Sequence, residues 1–294
     1  MPKAGTVPEA SDAPTVSVQA AGRTRTMTVV SPSSLAGAAP AVLVFHGSGQ
    51  SGQGVRRFAG NSLDVFARRD GAVVAYLHGY KKNWNDARLS TKFAARKENV
   101  DDVAFTLAAI DYLAGHYGAD TSRVYVIGYS AGGAMVLRLL HEIPERLAGA
   151  AVISATQPVP ENYPRYTDPA VPVPVVLFHG TRDRLVPYQG GMASLWGLFP
   201  RGPGQSAQQT AAYYAARNGI TAEPSVHRPG VAPTAGAAEI ERTDYRQAGH
   251  APVTLYTIHG GGHVIPGPKK APRMMGRTTR RLNAADAIEE FFGL

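Results

Sequence analysis

No cysteine occurs among the 294 residues. That absence excludes a disulfide framework, a thiolate-held zinc or iron–sulfur centre, and a thiol nucleophile. Nor is there a run of about 18 consecutive apolar residues, so no segment reads as a membrane-spanning helix. The zinc-binding H-E-x-x-H pattern and the phosphate-cradling glycine loop are both missing, and no other His/Asp/Glu cluster has metal-ligand spacing. The chemistry is therefore expected to run without metal or cofactor. Charge is sparse: Asp, Glu, Lys and Arg make up 18% of the chain against 44% hydrophobic residues, the balance of an ordinary globular protein. The sign is lopsided, with 30 Lys and Arg against 22 Asp and Glu, a net charge of +8. Lys269, Lys270, Arg273, Arg277, Arg280 and Arg281 form the one local concentration. No nucleic-acid recognition motif accompanies it, so a solvated basic surface, or an attraction for anionic substrates, accounts for it without a nucleic-acid partner.

At roughly 150 residues per domain the length suggests two domains, but α/β folds often use more than 250 residues in one. Residues 1–14 are rich in Pro, Ala and Ser and read as a disordered lead-in, with no apolar core after Lys3 to make an intact signal peptide. Two strands are expected over 15–30. Six short apolar runs then follow: 40–47, 72–79, 123–130, 148–155, 173–180 and 253–260. They are continuous and not alternating, the pattern of strands buried on both faces of a parallel sheet. Helical patterns lie between them, over 58–71, 99–118 (with Asn99 as N-cap), 131–144, 206–218 and 282–292. Strand–helix alternation gives a doubly wound α/β sheet in a single domain over 15–294. Residues 192–240 read as an insertion or lid, and 239–246 as a returning strand.

Gly128-Tyr129-Ser130-Ala131-Gly132 fits G-x-S-x-G, ending a predicted strand and opening a predicted helix. A nucleophilic serine must stand on a tight, crowded turn, and glycines two before and two after remove side chains that would collide there. The Ala131 N–H then points from a helix N-terminus toward a developing oxyanion. A second donor is expected from the loop His46-Gly47-Ser48-Gly49, with the Ser48 N–H first and Gly49 second. His46 is read as holding that loop. The orienting acid should follow a sheet strand downstream of Ser130. Asp183 does so, whereas Asp168, Asp244, Asp286 and the downstream glutamates do not. Among nine histidines, His263 lies past the last strand on the loop Gly260-Gly261-Gly262, expected to be mobile, which can carry an imidazole across to the serine; His259 is the second choice.

Taken with their flanks, these segments resemble the esterases of the polyhydroxybutyrate depolymerase type, which include feruloyl and acetylxylan esterases. The resemblance lies in VLVFHGSGQS, Trp84-Asn85-Asp86-Ala87-Arg88, the long block from Asn99 to Met135, HGTRDRLVPYQGG, GGGHVIPG and LNAADAIEEFF. It runs from about residue 40 to the C-terminus, interrupted between about 192 and 240. It implies an α/β-hydrolase fold and carboxylic-ester hydrolysis with Ser130, Asp183 and His263 as triad; members are often secreted, which points to an extracellular location, with a cytoplasmic one the alternative. Two departures stand out: Ile265 replaces a Trp common two positions after the catalytic His, and Ser48 stands where a Cys is frequent. The polymer-binding domain of true polyester depolymerases is not found, which points to small or soluble esters.

Trp84, on a polar, lysine-flanked loop, is expected at the active-site edge, in contact with substrate or packed. Tyr129, Trp196 and Ile265 complete the candidate substrate-contacting set, and Met192, Leu198 and Phe199 could line or cover a pocket beside Trp196. Asp101 and Asp102 are neighbours on a helix and so do not face one site; a helix N-terminus explains them. Two rivals remain: a serine peptidase of the same fold, which needs a pocket for a peptide's amino end, and a non-catalytic binder, which predicts a broken triad.

Overall fold

The computed structural model describes residues 13–34, 37–164, 170–195, 197–228 and 239–294. Its strands are β1 (Thr15–Ala20), β2 (Arg23–Val30), β3 (Ala39–Phe45), β4 (Val73–Leu77), β5 (Ala119–Tyr129), β6 (Gly149–Ile153), β7 (Val175–Gly180), β8 (Gly191–Leu195), β9 (Leu198–Gly204), β10 (Ser225–His227), β11 (Ile240–Tyr245) and β12 (Val253–Ile258). The helices are α1 (Gly52–Phe58), α2 (Val65–Arg68), α3 (Ala94–Lys97), α4 (Asp102–Tyr117), α5 (Ala131–Glu142), α6 (Ala207–Arg217) and α7 (Ala284–Phe292).

Ten of these strands form one sheet in the order β1-β2-β4-β3-β5-β6-β7-β12-β11-β10. Its centre, β4 to β12, is parallel, and antiparallel strands flank it on both sides. The apolar runs read from the sequence are those central strands. Every residue of β3, β4, β6, β7 and β12 is buried, because helices cover both faces. One core layer joins α4, α5 and α6 to the sheet, and the other joins α1, α2 and α7. This is the α/β-hydrolase fold, and it brings the ends of β3, β5, β7 and β12 to one edge.

Two local expectations are corrected. The helix expected over 58–71 is broken: Gly60 and Asn61 both take positive φ (67° and 56°), so the chain ends α1 and restarts as α2. Asn99 does not cap α4. It sits at φ 44°, and Asp101 is the cap, its carboxylate accepting from Ala104 N at 2.8 Å. Asp102 is fully buried against Arg25 (2.7 Å), an ion pair more specific than a favourable helix end. Within 192–240, β8 and β9 pair into a small separate sheet. The lead-in over residues 1–12, and Trp196, lie outside the described residues.

Candidate active site

Ser130 stands between β5 and α5 at φ 55°, ψ −118°. Such a backbone is costly for a residue with a side chain and persists only where the surroundings impose it. The flanking glycines are part of that imposition. A Cβ on Gly128 would lie 2.2 Å from Gly132 O, and one on Gly132 would lie 2.1 Å from Phe45 O. The turn is locked to β6 by Ser130 N donating to Ile153 O (2.9 Å).

The structure brings the three residues of the expected triad together. Ser130 Oγ is 2.8 Å from His263 Nε2, and His263 Nδ1 is 2.7 Å from Asp183 Oδ2. Asp183 lies just past β7. Its Oδ1 accepts from the N–H groups of Leu185 and Val186, both at 2.9 Å, so the carboxylate is held on both oxygens. Burial would raise its pKa; His263 on one side and His179 on the other outweigh that and hold the carboxyl below its ordinary range. His179, which no sequence argument singled out, lies 3.5 Å from Asp183 Oδ2 and is fixed by Val186 O at 2.9 Å.

His263 is delivered differently from expectation. The triglycine loop is clasped by hydrogen bonds. His263 N donates to Met275 O (2.7 Å), Gly262 N to Arg277 O (3.0 Å) and Gly260 N to Thr181 Oγ1 (2.8 Å). Side chains are excluded there because a Cβ on Gly262 would meet Met275 O at 2.2 Å. Tyr129 adds a clamp, its buried hydroxyl donating to His263 O at 2.8 Å. Part of the basic 269–281 segment is thus the strap behind the histidine loop.

The oxyanion candidates are placed as follows. Ala131 opens α5, and its N–H, like that of Ser48, has no acceptor among the described residues. Gly49 is ruled out as a donor because its N–H is already given to Lys82 O at 2.9 Å. His46 is fully buried and pins the loop: Gly79 N donates to its Nε2 (2.9 Å), and its Nδ1 lies 2.7 Å from Gly47 O.

A narrow cleft opens beside Ser130, lined by Arg88, Ala134, Ala155, Thr156, Pro158, Val186 and Pro187, and closed by Gly191, Ala193 and Gly202–Gly204 of the β8–β9 hairpin. The residues expected to contact substrate are placed against it as follows. Trp84 is wholly buried: its indole N–H donates to His46 O at 2.8 Å and its ring meets Phe45 edge-on. It braces the loop that carries Ser48. Tyr129 and Ile265 are buried and do not line the cleft; Ile265 belongs to the core layer under α1 and α7. Met192, Leu198 and Phe199 of the hairpin are exposed and stand outside the lining. Arg88, absent from the expected site residues, reaches the cleft; its only sequence signal was its place at the end of Trp84-Asn85-Asp86-Ala87-Arg88.

Fold and site together define an α/β-hydrolase of the esterase class. The chain belongs to the phospholipase/carboxylesterase family, whose pattern matches residues 25–195. It is 33% identical over 286 residues to a protein of Nocardia uniformis subsp. tsuyamanensis that carries the provisional name esterase NocK, covering 93% of this chain and 80% of that one. Feruloyl esterase B of Piromyces equi is 29% identical over 247 residues, covering 81% of this chain and 42% of that protein's length. Among solved structures, an acetyl xylan esterase from Aspergillus awamori superposes with a TM-score of 0.60 over 92% of this chain and 94% of that one, at 17% identity, a likeness of fold. These relatives support carboxylic ester hydrolase activity. The resemblance read from the sequence is met at that level, of an esterase family with feruloyl and acetylxylan esterase relatives. No helix among the described residues is long and apolar enough to cross a membrane.

Proposed function

We propose that this protein hydrolyses small or soluble carboxylic esters (feruloyl, acetyl or short hydroxyalkanoate) through an acyl-enzyme on Ser130. The observation that carries the reading is the continuous chain from Ser130 Oγ to His263 Nε2 (2.8 Å) and from Nδ1 to Asp183 (2.7 Å) at the mouth of a cleft. His263 takes the Ser130 proton as Oγ attacks the ester carbonyl, then gives it to the leaving alcohol. Asp183 keeps Nδ1 protonated and stabilises the imidazolium, its own charge secured by the Leu185 and Val186 amides. The N–H groups of Ala131 and Ser48 receive the oxyanion. Water, activated by the same imidazole, releases the acid. The narrow cleft and its β8–β9 hairpin wall favour short acyl groups.

A p-nitrophenyl ester series from acetate to laurate, run beside methyl ferulate and alanine p-nitroanilide, tests this reading. Turnover highest among the short or feruloyl esters and negligible on the anilide is expected. Preferential cleavage of the anilide would assign a peptidase, and no ester turnover at all would overturn the proposal.

A further inference from the structure

The segment ending in Arg88 is pinned at nearly every residue. Trp84 Nε1 donates to His46 O. Asn85 N donates to buried Asp102 Oδ2 (2.7 Å), while Asn85 O accepts from Arg138 Nη1 (2.6 Å). Ala87 N donates to Ala134 O on the Ser130 helix at 3.4 Å. Asp86 is fully buried and accepts from Arg88 N, Nε and Nη2 at 3.0, 3.0 and 2.5 Å. The result is a guanidinium with 12% exposure fixed in the wall of the Ser130 cleft. A guanidinium has five N–H donors, and the Asp86 side chain engages only Nε and Nη2; Nη1 has no acceptor among the described residues.

A second cation stands next to it. Arg201 precedes Gly202 of the cleft wall, and its guanidinium lies over the Phe93 ring at 4.3 Å. Among the described residues no carboxylate pairs with it and no acceptor takes its side-chain N–H groups. Burial, and then the nearby positive charge of Arg88, lower its pKa, while Asp86 acts the other way. Among the described residues the Asp86 carboxylate pairs with Arg88 alone, and Arg201 feels both charges at longer range. The cleft lining contains Arg88 and no acidic side chain; Arg201 stands beside that lining, one residue before Gly202 of its wall, with no carboxylate partner of its own among the described residues.

We infer that Arg88 and Arg201 form a carboxylate-recognition subsite, and that the preferred substrates are esters carrying a carboxylate a few bonds from the scissile carbonyl. A substrate carboxylate supplies the acceptor that Nη1 of Arg88 and the Arg201 fork lack, and charge-assisted pairs of this kind are the strong ones. The inference rests on the ester-hydrolase reading for its chemistry, but not for its binding test.

The carboxylate could sit on either half of the ester, and two substrate pairs distinguish them. p-Nitrophenyl hemiglutarate against p-nitrophenyl pentanoate places it on the acyl side; 4-acetoxybenzoate against its methyl ester places it on the alcohol side. The anionic member is expected to have the higher kcat/KM in one pair, and that ratio to fall about tenfold or more in Arg201→Gln and Arg88→Gln. A ratio cancels losses from misfolding, and Arg201→Gln leaves the buried Asp86 pair in place. Ratios at or below one in both pairs, or a preference untouched by Arg201→Gln, overturn the inference. Calorimetric binding of monoethyl glutarate and of 4-acetoxybenzoate to Ser130→Ala, and to Ser130→Ala with Arg201→Gln, decides the matter without turnover. Equal binding of both probes to the two proteins refutes the subsite; weaker binding of one probe to the double variant supports it. Neutral esters turned over with no anion preference sink this inference alone, whereas no ester turnover sinks the hydrolase reading.

Discussion

Acidification should destabilise the fold through His46, which pins the loop carrying Ser48. The imidazole is fully buried, and its Nε2 accepts the Gly79 N–H at 2.9 Å, so a proton cannot enter without breaking that bond. Burial lowers its pKa from 6.5 to about 4; the Gly47 carbonyl opposes this, and the charges of His78 and Arg25 add to it. Between those two values the unfolded chain holds a proton that the folded chain does not, so stability falls as pH falls through the window and is unaffected above it. For that pair of values the linkage relation gives a loss of about 2 kcal/mol at pH 5 and about 3 kcal/mol at pH 4. His141, lowered to about 3 by burial, contributes with the same sign. The contribution of His46 is therefore read as a difference. Urea unfolding at pH 7 and pH 5 is compared for the wild type and His46→Gln, in which His141 is unchanged. The wild type should lose about 2 kcal/mol more than the variant over that interval. Identical losses in the two proteins would refute the reasoning.

Tyr129→Phe removes the hydroxyl that holds His263 O and leaves that buried carbonyl unpaired. It should cost about 1–3 kcal/mol in urea unfolding and lower kcat more than it changes KM; an unaltered kcat would show that the clamp does not position the histidine. Gly132→Ala forces a Cβ to 2.1 Å from Phe45 O at the base of the serine turn. A loss of about 3 kcal/mol or more, or no soluble protein, is expected, and wild-type stability would mean the turn is looser than described. Asp183→Asn keeps the shape of the site but abandons the tautomer that points a basic Nε2 at Ser130, so kcat should fall by about 10⁴-fold with thermal stability little changed. A fall of less than tenfold would move the orienting role to another residue.

The central sheet was legible because its strands are buried on both faces and so are apolar without interruption, as Val175–Gly180 illustrates. The serine turn was legible because its crowding admits only glycine at 128 and 132, a constraint that shows as sequence. Asp183 and His263 followed from chain order and strand ends. What escaped depends on contacts between distant residues. The polar loop of Trp84 left substrate contact and packing equally open; an acceptor 38 residues away, His46 O, draws its indole inward. Tyr129 and His263 are 134 residues apart, and only the folded edge shows one clamping the other. Arg88 acquires a cleft to line only when the β8–β9 hairpin, irregular in sequence and rich in Gly and Pro, closes over Ser130. The break at Gly60 and Asn61 was hidden because two positive-φ residues interrupt an otherwise helical pattern.

Covalent labelling is the sharpest test of Ser130 as the nucleophile. The protein is treated with a serine-directed fluorophosphonate, and the modified residue is located by peptide mass mapping. One equivalent of label on Ser130, absent in Ser130→Ala and absent after acid unfolding, accompanied by complete loss of ester hydrolysis, is the result the account predicts. Label on any other serine, or full turnover in Ser130→Ala, would contradict it.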